Sequence, residues 1–314
     1  MMPSNMEIVK ISASPSPSTG VRSAPQVVKL IDTTTCIGCK ACEVACQEWN
    51  DLLGIDEMVE PAKVQLGTYQ TQPDLTSNFW NLIRFNEHVE PHADGSETIH
   101  WLMAKDQCMH CADPGCLKAC PSPGAIVQYA NGVVDFQQEH CIGCEYCVTG
   151  CPFDIPRLNV KTKRVYKCTL CSDRLSYGLE PACIKACPTG CLQFGTKEQM
   201  VQIGKHRVAQ LKENGHEKAA LYDPPGVGGT GVVYVLGLGD RPELYGLPKN
   251  PRIPWTITVW KDVIKPLGSM AMIGAAFSTL FHYLRFGRNE APEFEEPDPG
   301  PPPHRRVEEE EVNK

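Results

Sequence analysis

The chain has 314 residues, enough for one large domain or two ordinary ones with an apolar core, so size does not force it to rely on disulfides. Acids outnumber lysines and arginines 37 to 30, and the resulting formal charge of -7 excludes the basic footprint of a nucleic-acid surface. Seventeen cysteines would suit a disulfide-stapled scaffold if they were spread along the chain; sixteen of them fall in four tight groups instead, which points to metal.

The opening stretch MMPSNMEIVKISASPSPSTG lacks the apolar core of a secretory signal and reads, within residues 1–26, as a flexible Ser/Pro-rich arm. From residue 27 onward the cysteines set the layout. They are Cys36, Cys39, Cys42 and Cys46; Cys108, Cys111, Cys116 and Cys120; Cys141, Cys144, Cys147 and Cys151; and Cys168, Cys171, Cys183 and Cys187. The first and third groups share C-x2-C-x2-C-x3-C, while the second and fourth share an opening C-x2-C and the closing phrases CLKACP and CIKACP. This A-B-A-B repetition indicates duplicated modules.

Around these groups the β-branched runs GAIVQY and GVVDF, joined by ANG, predict a hairpin, and RVYKC and CLQFG are expected to pair in the same way. In KEQMVQIGKHRVAQLKENG, the helical spacing of Met200, Ile203, Val208 and Leu211 predicts a helix that stops at Gly215. Residues 255–285 differ in kind. Between Lys265 and Arg285 no residue carries a formal charge, and that run is long enough to cross a hydrocarbon layer of about 30 Å. We read it as a membrane anchor; a buried core helix is the competing reading. Trp255 and Trp260 suit an interfacial belt, and Ala271, Gly274, Ala275 and Ser278 give small-xxx-small pairs that admit a partner helix. Residues 286–314 are rich in proline and then in glutamate, a composition expected to stay disordered.

Quartets of soft thiolate suit zinc, copper(I) or iron-sulfur clusters, and spacing separates these. A structural zinc ion is gripped from two knuckles a longer stretch apart. Here three cysteines recur at intervals of three, so one loop can wrap three corners of a cube, with a fourth cysteine at the start of a helix. Two-cluster ferredoxins use that run followed by proline, the fourth cysteine crossing to the other cluster. Proline follows Cys120, Cys151 and Cys187, and Gln47 takes its place after Cys46. A zinc-structured scaffold and a disulfide-rich extracellular protein are the rivals of another class.

Only residues 121–140 separate the second and third groups, room for a hairpin between facing clusters. This pairs Cys108, Cys111 and Cys116 with Cys151, and Cys141, Cys144 and Cys147 with Cys120. By elimination Cys36, Cys39 and Cys42 join Cys187, and Cys168, Cys171 and Cys183 join Cys46. Sequential pairing of groups one with two and three with four stays open. The expected fold is α+β: two ferredoxin-like two-cluster modules in 27–250, with 107–160 nested within 27–106 plus 161–200, an extension 201–250, and one C-terminal transmembrane helix.

Other signals carry less. Cys191 has no quartet to join and reads as a buried thiol. His110 and His140 sit beside cluster cysteines, but with every quartet full they suit hydrogen bonding or packing. His282, near the end of the apolar run, needs no special purpose. GVGGTG, from Gly226 to Gly231, matches a dinucleotide fingerprint only formally, because it leads into the strand-like VVYVLG where that fingerprint must open a helix. No catalytic site is found.

Taken together, KLIDTTTCIGCKACEVACQEWND, CMHCADPGCLKACPSPGAIVQYANGVVDF, CIGCEYCVTGCPFDIPRLN and CTLCSDRLSYGLEPACIKACPTG resemble the iron-sulfur beta subunit of respiratory formate dehydrogenase. The likeness runs through LYDPPGVGGTGVVYVL and the late span, over roughly residues 27–288. The cysteine motifs alone would identify the wider group of four-cluster electron-transfer subunits, which also serve hydrogenases and other molybdopterin oxidoreductases. The resemblance implies nested modules, four 4Fe-4S clusters, and a relay of electrons from formate to quinone. It implies as partners a catalytic alpha subunit with a molybdenum or tungsten pterin cofactor and a gamma subunit with b-type haem. It also implies a bacterial inner-membrane location with the iron-sulfur domain on the periplasmic side, reached on a signal carried by the alpha subunit. The flanking charges, Arg252, Lys261 and Lys265 before the span against Arg285 and Arg288 after it, point weakly the other way.

Overall fold

A computed structural model describes residues 6–13, 24–52, 69–70, 72–92 and 94–287. Residues up to Thr258 form one compact unit and those from Val259 a second. In chain order, the first unit opens with strands β1 (Ile8–Ile11) and β2 (Val27–Asp32), and helix α1 (Ala41–Trp49) follows the first cysteine loop. A long hairpin, β3 (Asn81–Pro91) and β4 (Glu97–Gln107), leads to the second loop and helix α2 (Gly115–Ala119). Then come β5 (Ile126–Tyr129) and β6 (Val134–Phe136), helix α3 (Tyr146–Thr149), and β7 (Arg157–Asn159) and β8 (Arg164–Tyr166). Helices α4 (Ser172–Ser176) and α5 (Ala182–Lys185) flank the last group, followed by β9 (Leu192–Thr196), α6 (Lys197–Glu213), β10 (Ala220–Tyr222) and β11 (Val232–Leu236).

The main sheet runs β10-β11-β2-β9 and gathers segments from both ends of the cysteine region. Every residue of β2 is buried, so the strand reads as a continuous run rather than an alternating one, with Lys29 inside it. It takes β11 in parallel on one edge and β9 antiparallel on the other. The strands between the second and fourth groups stay outside this sheet: β5 pairs β6, and β7 pairs β8. The architecture is α+β with an inner part enclosed between outer segments.

The expected β5–β6 hairpin is present. The expected pairing of RVYKC with CLQFG is not: β8 pairs β7, while β9 lies against β2. The reason is local turn chemistry. Asn159 Oδ1 accepts from the amides of Lys161 (2.9 Å) and Thr162 (3.0 Å), and this Asx turn folds β8 back on its immediate predecessor. A second correction concerns the N-terminal arm, where Ile8–Ile11 forms a strand paired antiparallel with β5. The rest of the arm, residues 1–5 and 14–23, and the tail from residue 288 lie outside the described residues.

Helix α6 starts with a capping box: Thr196 Oγ1 accepts from the Gln199 amide, and Gln199 Oε1 accepts from the Thr196 amide. Its buried face carries Met200, Gly204 and Leu211, whereas Ile203 is 40 % exposed. Gly204 replaces it because a β-carbon there would lie 2.5 Å from Leu221 Cδ1.

The C-terminal helix spans Trp255–Phe286, 32 residues with a mean hydropathy of 1.3 in its most apolar stretch, and none of its residues is buried. At about 1.5 Å per residue it exceeds the thickness of a hydrocarbon layer. A π-helical turn at Trp260–Ile264 precedes Pro266, which lacks the N–H that an α-helical turn would direct at Asp262. A side chain built onto Gly268 or Gly274 would meet nothing within 4 Å.

Candidate metal centres

No disulfide joins any of the seventeen cysteines. In each group the second residue after the first cysteine adopts a left-handed backbone: Gly38 (φ 65°), His110 (φ 46°), Gly143 (φ 70°) and Leu170 (φ 56°). Glycine does this at no steric cost, and the two bulkier residues are held there by the fold. The reversal turns backbone amides toward sulfur. The His110 amide lies 3.4 Å from Cys108 Sγ, the Leu170 amide 3.4 Å from Cys168 Sγ, and the Gly38 amide donates to Cys36.

Helix packing brings distant groups together. Helix α2 packs on α3, and α1 packs on α5. Where α2 meets α3, Gly115 and Gly150 leave no room for a β-carbon on either side. One cavity is lined by Cys108, Cys111, Cys116 and Cys151; a second by Cys120, Cys141, Cys144 and Cys147. A third is lined by Cys36, Cys39, Cys42, Cys187 and also Cys191. The remaining thiols are neighbours of one another: burial first, then the charges of Cys168, Cys183 and Cys171, push the Cys46 thiol up to about 12.

Cys191 is buried, as expected, yet it does not stand apart from the quartets. Its sulfur lies 3.5 Å from Cys187 Sγ, and its hydrogen bond to Cys36 lowers that thiol to about 6. His110 is buried with Nδ1 accepting from the Val134 amide (3.1 Å), which leaves its proton on Nε2 when the ring is neutral. Burial, then the charges of Lys167 and Lys29, keeps it neutral. The His140 side chain is more than half exposed.

The GVGGTG loop is a buttress. Gly229 O accepts from the Ala112 amide (2.9 Å), Val227 O from the Asp113 amide (2.9 Å), and the Gly231 amide donates to Met109 O (2.9 Å). A β-carbon on Gly231 would lie 2.9 Å from His110 Cβ. The strand β11 follows it, with no helix.

The donor set fits iron-sulfur cubes on three observations. Among the described residues no three His, Cys, Asp or Glu side chains converge on a single ion. Burial pushes the thiols of Cys147 and Cys171 to about 12 and Cys151 to about 11, so thiolates here call for a cationic partner. Two buried donors, Lys105 Nζ and His110 Nε2, line the cysteine cavities without a hydrogen-bond partner.

Models of a 4Fe-4S dicluster domain match residues 35–125 and 99–197, and a model of the formate dehydrogenase N transmembrane segment matches residues 253–296. The chain is 53 % identical over 291 residues to the formate dehydrogenase iron-sulfur subunit of Haemophilus influenzae, covering 90 % of this chain and 89 % of that one. It is 52 % identical over 296 residues to the nitrate-inducible formate dehydrogenase iron-sulfur subunit of Escherichia coli, covering 93 % and 97 %. The chain belongs to the formate dehydrogenase iron-sulfur subunits. A more distant relative, 36 % identical over 216 residues, is formate dehydrogenase 2 subunit beta (cytochrome c-553) of Nitratidesulfovibrio vulgaris, with 66 % of this chain and 91 % of that one covered. This iron-sulfur subunit therefore carries four 4Fe-4S clusters in two dicluster domains, relays electrons, and is anchored by one membrane-spanning helix.

Proposed function

We propose that each cluster is held by three cysteines of one group and one of another, in four sets. These are Cys36, Cys39, Cys42 and Cys187; Cys46, Cys168, Cys171 and Cys183; Cys108, Cys111, Cys116 and Cys151; and Cys120, Cys141, Cys144 and Cys147. The observation that carries this is the lining of the three cavities: two draw three thiols from one group and one from another, and the third draws Cys36, Cys39 and Cys42 from one group with Cys187, and Cys191 beside it, from a distant one.

The subunit receives electrons from a catalytic subunit in which a molybdenum or tungsten pterin cofactor oxidises formate, and delivers them to a membrane subunit with b-type haem and so to quinone. Formate gives up two electrons at one buried site while quinone is reduced in the membrane, and tunnelling falls steeply with distance. When bound, each cluster accepts and passes on one electron at a time. The chain does the rest. Its thiolates fix the stations, the amides of His110 and Leu170 direct donors at sulfur, and buried side chains such as Ile83 and Val134 exclude water. The helix Trp255–Phe286 holds the iron-sulfur domain at the bilayer, with Ala271, Gly274, Ala275 and Ser278 offered to the membrane subunit and the clusters on the periplasmic side.

The test is Cys108→Ser in the assembled complex. It abolishes formate-to-quinone transfer and leaves dye-linked formate oxidation by the catalytic subunit largely intact; unchanged quinone reduction would sink the relay. Anaerobic material analysed for iron, acid-labile sulfide and zinc tests the cofactor independently.

A further inference from the structure

Three lysines lie in the interior of the first unit, where an ammonium without an anion costs several kcal/mol. Lys29, Lys105 and Lys167 are 0 %, 2 % and 3 % exposed. None of them makes an ion pair with a carboxylate among the described residues. Lys29 Nζ lies 3.1 Å from Cys183 Sγ and 3.0 Å from Gln107 Oε1. Lys105 lines the cavity of Cys36, Cys39, Cys42 and Cys187, and its Nζ has no hydrogen-bond partner. Lys167 lines the cavity of Cys108, Cys111, Cys116 and Cys151, its Nζ donating to Val134 O (2.6 Å) and Cys168 O (2.9 Å).

Their positions follow the borders between quartets. Lys105 acts on Cys36 and Cys42 on one side and on Cys46 and Cys183 on the other. Lys167 acts on Cys108 and Cys116 and also on Cys168. The cavity of Cys120, Cys141, Cys144 and Cys147 has no lysine or arginine in its lining, and Glu145 is there instead. Asp135 shares the charge of Lys167 with the thiolates while its Oδ2 accepts from Ser172 Oγ (2.8 Å), and Glu43 Oε1 accepts from the Ile83 amide (2.5 Å).

We propose that Lys29, Lys105 and Lys167 are fixed positive charges that raise the reduction potentials of the three clusters they border and shield neighbouring clusters from each other's added electron, while the Cys120/Cys141/Cys144/Cys147 cluster is set without them. A cluster held by four thiolates is anionic and gains one more negative charge on reduction, so a nearby ammonium favours the reduced form. At the two borders it also offsets the repulsion between an electron on one cluster and an electron on the next.

This rests on the ligand sets proposed above. The experiment is an EPR-monitored redox titration of the assembled complex carrying Lys29→Met, Lys105→Met or Lys167→Met, each paired with the Lys→Arg variant and with iron and sulfide analysis. At full iron content, each methionine variant moves the bordering cluster to lower potential, the arginine variant stays near the wild type, and the Cys120/Cys141/Cys144/Cys147 cluster does not move. Loss of a cluster in a methionine variant that the arginine variant retains also supports a role for the charge. Unchanged potentials at full iron, an equal shift of all four clusters, or loss of the cluster in both variants would overturn it. Failure of the ligand sets is read separately, as an iron deficit in the wrong cluster when a cysteine is replaced.

Discussion

Gly115 on α2 and Gly150 at the end of α3 approach so closely that a β-carbon on Gly115 would overlap the Gly150 carbonyl oxygen, and one on Gly150 would lie 2.6 Å from Ala119 Cβ. This contact locks together the two helices that carry Cys116 and Cys147. Gly150→Ala forces them apart. Overpacking of this kind costs roughly 1–3 kcal/mol. The expected result is a lower melting temperature and faster iron release from the two neighbouring clusters; wild-type iron retention would show that the gap can relax.

Cys191 shares a cavity with Cys36 and Cys187 but stands outside the three-plus-one sets. Cys191→Ser is expected to keep the full complement of iron, whereas Cys187→Ala loses one cluster's worth. Equal losses in the two variants, measured by iron and sulfide content after anaerobic purification, would make Cys191 a ligand.

On the membrane helix, Gly274 leaves open space where a side chain would project. Gly274→Leu fills the face on which another helix can approach. The expected outcome is reduced co-purification of the membrane subunit with no change in iron content. Retention of the partner at wild-type yield would place the contact elsewhere on the helix.

Acid acts on the β3–β4 hairpin through Glu90. Hydrogen bonds from Lys218 (3.0 Å) and then from His100 hold its carboxyl at about 2, below an ordinary value of 4.5. A carboxyl lowered in the folded state contributes stability above pH 4.5 and loses it as the pH falls toward 2. The protection of amides in the outer half of the hairpin, measured against the intrinsic exchange rate at each pH, should therefore fall across that window in the wild type. In Glu90→Gln that protection should already be low above the window and change little through it.

Much of the site was legible because cluster ligation is written in local spacing. Loops that must wrap a cube place thiols at fixed short intervals, and Gly38 and Gly143 mark the left-handed turns that spacing needs. The same turn at His110 and Leu170 gave no sign, since neither residue favours it alone; packing against Gly231 holds His110 there. Lys29 could have been noticed as a charge inside VVKLID, a run otherwise typical of a buried strand. Lys105, three residues before Cys108, and Lys167, directly before Cys168, carry no local sign of their burial. The misassigned partner of β8 came from weighing strand propensity without the Asn159 turn.

The order of residues determined the thiolate groups, the α6 pattern and the apolar run from Pro266 to Leu284, because each depends on chemistry within a few residues or one helical repeat. Which groups face each other, where a fifth thiol enters a cavity, and which lysines are stripped of water were decided by tertiary structure. Those relations depend on β2 being enclosed by β9 and β11 and on short helices meeting at glycine. Such contacts join residues from a few dozen to more than a hundred positions apart, for which the sequence has no period to reveal.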